Sequence, residues 1–240
     1  PVALLRGGAS QTQLANFWAY AASGAAAGLG SEHVAAYTRL MAASQPLIAQ
    51  DVLDAWPVDR YRCLLDVGGG NGAFIAAAAA RAPELRFQLF DLPAVAGEAE
   101  KRFEALGLAG RTAVIGGDFR SDPLPIGADI ASLVRVLHDH DDAVAAALLR
   151  AVAAALPEDG TLLIAEPMAR TPGAMPVGDA YFGFYFLALG QGRARTPRML
   201  IDMARSAGFR KARLIRTARP LLAQVIVAQE PRTTPSVKNT

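Results

Sequence analysis

Four of the five residues from Gly68 to Gly72 are glycine, and this run constrains the chain more than any other feature. In Leu64-Leu65-Asp66-Val67-Gly68-Gly69-Gly70-Asn71-Gly72 a short apolar stretch enters a tight turn and leaves into the alanine-rich run Ala73 to Ala82. Strand, turn and helix in that order make the repeating unit of an α/β sheet. Glycine lacks Cβ, so the turn can take positive φ and admit a ligand to the backbone. The amides that open the next helix point outward with the positive end of its dipole. Asp66 precedes the first glycine by two positions. A carboxylate there repels phosphate and suits a ligand that carries positive charge and hydroxyls.

The same residues admit a competing reading. Gly68-x-Gly70-x-x-Ala73 fits a dinucleotide fingerprint, and Asp91 lies about 20 residues further on, where a ribose-binding acid belongs. The turn alone leaves both NAD and a cationic, hydroxyl-bearing ligand open.

The remainder of the chain sets the frame. At 240 residues it is long enough for one α/β domain plus an appendage. It is 52% hydrophobic and 19% charged, with a net charge of only +2, so it reads as globular, and no Lys/Arg run points to nucleic acid. The single cysteine, Cys63, excludes an internal disulfide framework and a cysteine-based zinc site. Pro1 to Gly8 lacks the pattern of a signal peptide, and no apolar stretch reaches membrane-spanning length without Gly, Pro or charge. The expected location is the cytoplasm.

Residues 1–60 read as a helical extension, with helices at Gln13 to Ala22, Glu32 to Ala43 and Pro46 to Ala55, that packs on the core or on a partner. From residue 61 strands alternate with helices. Strands are expected at Cys63 to Val67, Arg86 to Phe90, Thr112 to Gly116, within Ala128 to Leu137, and at Gly160 to Ala165. Helical patterns separate them, at Gly72 to Ala82, Ala94 to Leu106 and Asp142 to Leu156. That spacing implies a mostly parallel, doubly wound sheet with helices on both faces. After a helix at Pro197 to Ala207 come two apolar runs, Ala212 to Arg216 and Leu221 to Ala228. The link between them is too short for a crossover helix, so they form an antiparallel pair. Residues 231–240 are polar and read as a disordered tail.

In open α/β sheets the ligand lies at the carboxyl ends of the strands. Asp66, Gly68 and Gly70 close the first strand. Asp91 and Leu92 close the second, and a carboxylate there can accept from both hydroxyls of a ribose. Equally, Asp91 can cap the following helix. Asp118 and Phe119 follow the third, placed to bind an adenine amino group and stack on the ring, or to make an ordinary turn. The fourth ends in Arg135-Val136-Leu137-His138-Asp139-His140-Asp141-Asp142. Histidine titrates near neutrality and is a natural general base. A metal site from His138, His140 and neighbouring aspartates is the rival reading. The fifth ends in Glu166-Pro167, which puts Glu166 where its carboxylate can orient the His138 imidazole.

An acidic strand end running into this glycine turn resembles motif I of class I S-adenosylmethionine (SAM) methyltransferases. One antiparallel strand inserted at the end of a parallel sheet resembles that family's arrangement and favours SAM over NAD. Leu-His-Asp-x-Asp-Asp after strand four with Glu-Pro after strand five resembles the small-molecule O-methyltransferases that include plant caffeate and bacterial polyketide enzymes. The resemblance implies a Rossmann-like domain with a seven-stranded sheet, methyl transfer to a hydroxyl of a small molecule, His138 as base, and Arg135, Met41 and Ser44 among the residues near SAM. The segments Glu166-Pro167-Met168, Gly178-Asp179-Ala180-Tyr181-Phe182 and Gly190 to Pro197 look most like bacterial carotenoid O-methyltransferases. A hydroxylated acyclic carotenoid is then the expected acceptor, with peripheral membrane contact, and the aromatic set Tyr181 to Leu189 either faces a long polyene or forms a buried helix face.

Two departures stand out. Ala194 occupies the place of an acid in the family's Gly-x-x-Glu-Arg-Thr segment. The family also carries an N-terminal helical dimerisation domain of about a hundred residues. Only a shorter stretch precedes the sheet here, so a fragment or a reduced form is expected, with a homodimer for the longer form. A non-catalytic SAM-fold binding protein is the alternative that the first departure raises.

Overall fold

The computed structural model describes residues 2–6, 12 and 45–232. The helices expected at Gln13 to Ala22 and Glu32 to Ala43, with Met41 and Ser44, lie outside the described residues, as do residues 233–240. Numbering the helices from residue 45, the elements are α1 (45–55), β1 (Cys63–Val67), α2 (Ala73–Arg81), β2 (Arg86–Asp91), α3 (Pro93–Ala105), β3 (Thr112–Gly116), β4 (Ile130–Val134), α4 (Asp142–Ala155), β5 (Thr161–Glu166), α5 (Met175–Leu189), α6 (Pro197–Ser206), β6 (Phe209–Ile215) and β7 (Gln224–Pro231).

The strands form one seven-stranded sheet in the order β3-β2-β1-β4-β5-β7-β6. The pairs from β3 across to β5 are parallel, while β7 runs antiparallel between β5 and β6. This is the class I methyltransferase fold. Side chains alternate across the sheet as strand geometry requires. Leu64 and Ile130 join the core under α1, α2 and α3, and Leu65, Val67, Ala131 and Leu133 join the core under α4 and α6. The buried Asp51 of α1 pairs with Arg219 at 2.9 Å, which ties α1 to the link between β6 and β7.

Three details differ from the sequence reading. β6 starts at Phe209, three residues early, because Arg210 and Lys211 on this edge strand point outward and hide the alternation. β7 extends through Pro231, which pairs with Phe209, so the tail cannot begin at residue 231. In α5, Phe186 and Leu189 turn inward, but Tyr181 is 65% exposed and Phe184 and Leu187 are each 43% exposed, so the helix does not present a wholly buried face. Among the described residues no helix is long and apolar enough to cross a membrane.

Candidate active site

Gly68, Gly70 and Gly72 take φ of 70°, 59° and 75°, the left-handed region that side chains disfavour. A Cβ on Gly69 would lie 2.6 Å from Asp66 Oδ2, so only glycine leaves that carboxylate open to the turn.

Register places Asp66 beside Ser132 of β4, whose hydroxyl donates to Oδ1 at 2.6 Å. Oδ2 is buried with no hydrogen-bond partner. Burial pushes the Asp66 carboxyl up to about 7, against the Ser132 hydrogen bond, and the nearby Asp91 charge adds to the rise. Asp91 accepts the Gly70 N–H at 2.8 Å and the Leu92 N–H at 2.7 Å, so it fixes the glycine turn. It does not cap α3, whose N-cap is Leu92. Burial raises Asp91 to about 6, opposed by those two N–H donors. Each carboxylate oxygen retains a further lone pair for a ligand hydroxyl.

Asp118 closes a turn on itself. Its Oδ1 accepts from the Arg120 amide at 2.9 Å, and its own amide donates to Asp122 at 2.8 Å. Phe119 meets His140 edge-on, with ring centroids 5.3 Å apart. Arg135 takes φ 60°, uncommon for a non-glycine residue, and its N–H donates to the Ala165 carbonyl at 2.7 Å. The chain thereby leaves β4 sharply into the 3-10 turn Leu137–Asp139.

His138 is 3% exposed. Its Nε2 lies 3.3 Å from Asp139 Oδ1, outside hydrogen-bond alignment, and Nδ1 has no partner. The ring packs edge-on against Phe186 of α5, centroids 5.5 Å apart. Burial pushes the imidazole down to about 3, and Arg135, His140 when protonated, and Arg195 add to that, so the ring is neutral at pH 7. Burial raises Asp139 well above the usual carboxylate range, with Glu166 adding.

Glu166 requires a correction. Its Oε2 accepts the backbone N–H of His138 at 3.1 Å, and Oε1 has no partner. It therefore holds the main chain of the turn and not the imidazole: its carboxylate meets the amides of Leu137 and His138. Burial pushes Glu166 up to about 7, opposed by Arg195 and by the amides of His138 and Leu137. Ala194 packs against Phe186 and Leu189, an apolar setting for the position where the family carries an acid. Among the described residues no group of three or more His, Cys, Asp and Glu side chains is arranged to hold a metal ion.

Sequence reasoning assigned no role to Ser132 or Arg195, and read Asp139 only as a metal ligand or a helix start. Ser132 was detectable as the one hydroxyl in the otherwise apolar strand Ile-Ala-Ser-Leu-Val, since a buried hydroxyl needs a partner.

A class I methyltransferase sheet with acids after successive parallel strands and a buried histidine after the fourth defines the class of this protein. Residues 10–210 match the O-methyltransferase domain family, and the chain belongs to that family. It is 43% identical over 237 residues to a demethylspheroidene O-methyltransferase of Cereibacter sphaeroides, covering 98% of this chain and 62% of that protein. It is equally 43% identical over 234 residues to the Rhodobacter capsulatus enzyme of the same name, covering 95% of this chain and 56% of that protein. The chain thus spans less than two thirds of these relatives. Among solved structures it is similar to the O-methyltransferase NcsB1 from neocarzinostatin biosynthesis in complex with SAM and 2-hydroxy-5-methyl naphthoic acid. That similarity has a TM-score of 0.71 and 30% identity, and covers 83% of this chain and 58% of that one.

Proposed function

We propose that this chain carries the SAM-binding and methyl-transfer site of an O-methyltransferase acting on a hydroxyl of a small apolar molecule. The preferred acceptor class is a hydroxylated acyclic carotenoid. The observation that carries the reading is a pair of unpartnered buried atoms at the carboxyl ends of adjacent strands: Asp66 Oδ2 in the last residues of β1 and Nδ1 of a neutral His138 after β4. Asp66 Oδ2, opened by Gly69, fits the ammonium end of SAM. Asp91 and Leu92 would take the ribose side, and Asp118 with Phe119 the adenine. A dinucleotide would instead bring its diphosphate to a turn backed by two carboxyls, which disfavours NAD.

Bound SAM supplies a methyl group that its sulfonium makes electrophilic. The chain's own task is alignment and proton removal. The acceptor hydroxyl donates to His138 Nδ1 as the oxygen–methyl bond forms. An imidazole with so little proton affinity cannot take the proton beforehand, so proton transfer accompanies or follows methyl transfer. The test is incubation with labelled SAM and a panel of phenols, polyketides and hydroxylated carotenoids. Labelled carotenoid supports the reading. Label only on a phenol or polyketide supports the alternative acceptor, a phenolic or polyketide natural product, which the naphthoic acid in the NcsB1 complex favours. SAM binding without any turnover would indicate a binding protein.

The reading extends to a homodimer in the longer form, checked by mass in solution. It also includes a cytoplasmic protein that touches membranes peripherally. The exposed Val177, Tyr181 and Phe184 support that contact, and vesicle sedimentation tests it.

SAM affinity is expected to rise with pH between about 5 and 8, by at most about tenfold per unit for each carboxyl that must ionise. Asp91 and Asp66 titrate near 6 and 7, and a cationic ligand favours their ionised forms. Calorimetry in buffers of differing ionisation enthalpy should show proton release, and Asp91→Asn should weaken binding and flatten the dependence. Without ligand the sign reverses. Both carboxyls bind protons more tightly in the fold than at their ordinary 3.8, so the stability they contribute is present at low pH and is lost as pH rises toward 7.

A further inference from the structure

Arg195 is 0% exposed, and a buried guanidinium is tolerated only where its N–H groups are used. Its Nη1 donates to the Leu137 carbonyl at 2.7 Å, Nη2 to the His140 carbonyl at 2.7 Å, and Nε to Asp142 Oδ1 at 2.9 Å. The two carbonyls bracket His138. The Arg193 amide donates to the His138 carbonyl at 2.8 Å and Gln191 Nε2 to that of Asp139 at 2.9 Å. Every carbonyl from Leu137 to His140 therefore accepts from the segment Gln191–Arg195. Within the turn itself the bonds are long, 3.2 Å from Asp139 N to Val136 O and from His140 N to Leu137 O.

The geometry points to Arg195 as the positioning residue of the reaction: its planar fork holds both ends of the turn that presents His138 to the acceptor. This rests on the methyl-transfer reading above. A lysine keeps the charge but offers one nitrogen and cannot span two carbonyls in that fork geometry. A methionine removes both charge and bonds. Arg135, His140 and Arg195 act on the His138 ring and Asp139 lies 3.3 Å from its Nε2, while Glu166 bonds its backbone N–H and Tyr185 of α5 acts on the ring through Asp139. Loss of the Arg195 charge therefore raises the ring's affinity for a proton.

The test uses Arg195→Lys and Arg195→Met in the full 240-residue chain. Expected for both is a fall in kcat of about 10–100-fold, the cost of misplacing a catalytic group by about 1 Å, with SAM affinity within about threefold of wild type. In Arg195→Met alone, the ¹⁵N ring signals of His138 should titrate at a higher pH than in wild type, while in Arg195→Lys they should not move. Only three histidines are present, so His138→Ala assigns the signal. Wild-type kcat in both variants, or SAM affinity lost in step with kcat, overturns the assignment. Loss of the fold in both variants also overturns it, since Arg195 would then be structural only. If wild type methylates no acceptor, the functional reading fails on its own, and an unmoved His138 signal in Arg195→Met then overturns the positioning role separately.

Discussion

Replacing His138 with alanine is expected to lower turnover by about 10²–10⁴-fold, the range a positioned general base supplies, while SAM affinity stays within a few-fold. The separation follows from where the ring sits. It lies between Asp139 and Phe186, whereas the glycine turn is held by Asp91 and by the Gly68 amide bonded to the Phe90 carbonyl at 2.8 Å. Initial rates with labelled SAM, beside calorimetry with SAM, read the two effects independently. His138→Gln serves as a filled control, because it restores much of the removed volume without restoring a base. His140→Ala should do far less, since His140 faces Phe119 beyond the turn. Equal damage from both histidine changes, with rescue by added metal, would favour a metal site instead. Near-normal turnover in His138→Ala would leave alignment as the source of catalysis.

The sheet was legible because each strand is an apolar run cut by glycine or by a helix start. Cys63–Val67 and Thr112–Gly116 fall where the sequence puts them. β6 was read short because an edge strand needs few apolar residues, and Arg210 and Lys211 follow solvent rather than the core. The acids after strands one to three were legible from topology alone, since parallel strands deliver their carboxyl ends to one side. The partners of those acids were not. Nothing local in Glu166-Pro167 distinguishes a carboxylate that holds an imidazole from one that holds the amide next to it. Arg195 was less visible still. Arginine is ordinarily exposed, and only the Leu137 and His140 carbonyls, two of the four turned toward residues 191–195, together with Asp142 make its burial favourable.

The same four carbonyls explain why α5 matters to the site without being part of the sheet. Its Phe186 closes one edge of the His138 ring, and its end at Gly190 starts the segment that holds the turn. A groove of about 600 Å³ runs along this junction, lined by Phe186, Leu187, Gln191 and Arg193 among others. On the methyl-transfer reading, an acceptor in that groove would touch residues 191–194, the segment bonded to the His138 turn, and so link acceptor shape to base placement.

Gly192→Ala is the sharpest test of that link. Gly192 has φ 75°, and a Cβ there would lie 2.3 Å from the His138 carbonyl oxygen and 2.8 Å from the Asp139 carbonyl carbon. Both obstacles are backbone, so relief requires the turn itself to move. The left-handed conformation alone costs alanine about 1–2 kcal/mol. Displacing the turn by about 1 Å should lower kcat by about 100-fold. Gly190→Ala separates the two contributions, because Gly190 has φ 82° and nothing within 4 Å of its Cβ position. It should lose comparable stability from strain but keep kcat within a few-fold. Urea denaturation and initial rates on both variants decide the matter. If Gly192→Ala destabilises no more than Gly190→Ala and keeps its turnover, then the Gln191–Arg195 segment does not set the position of His138.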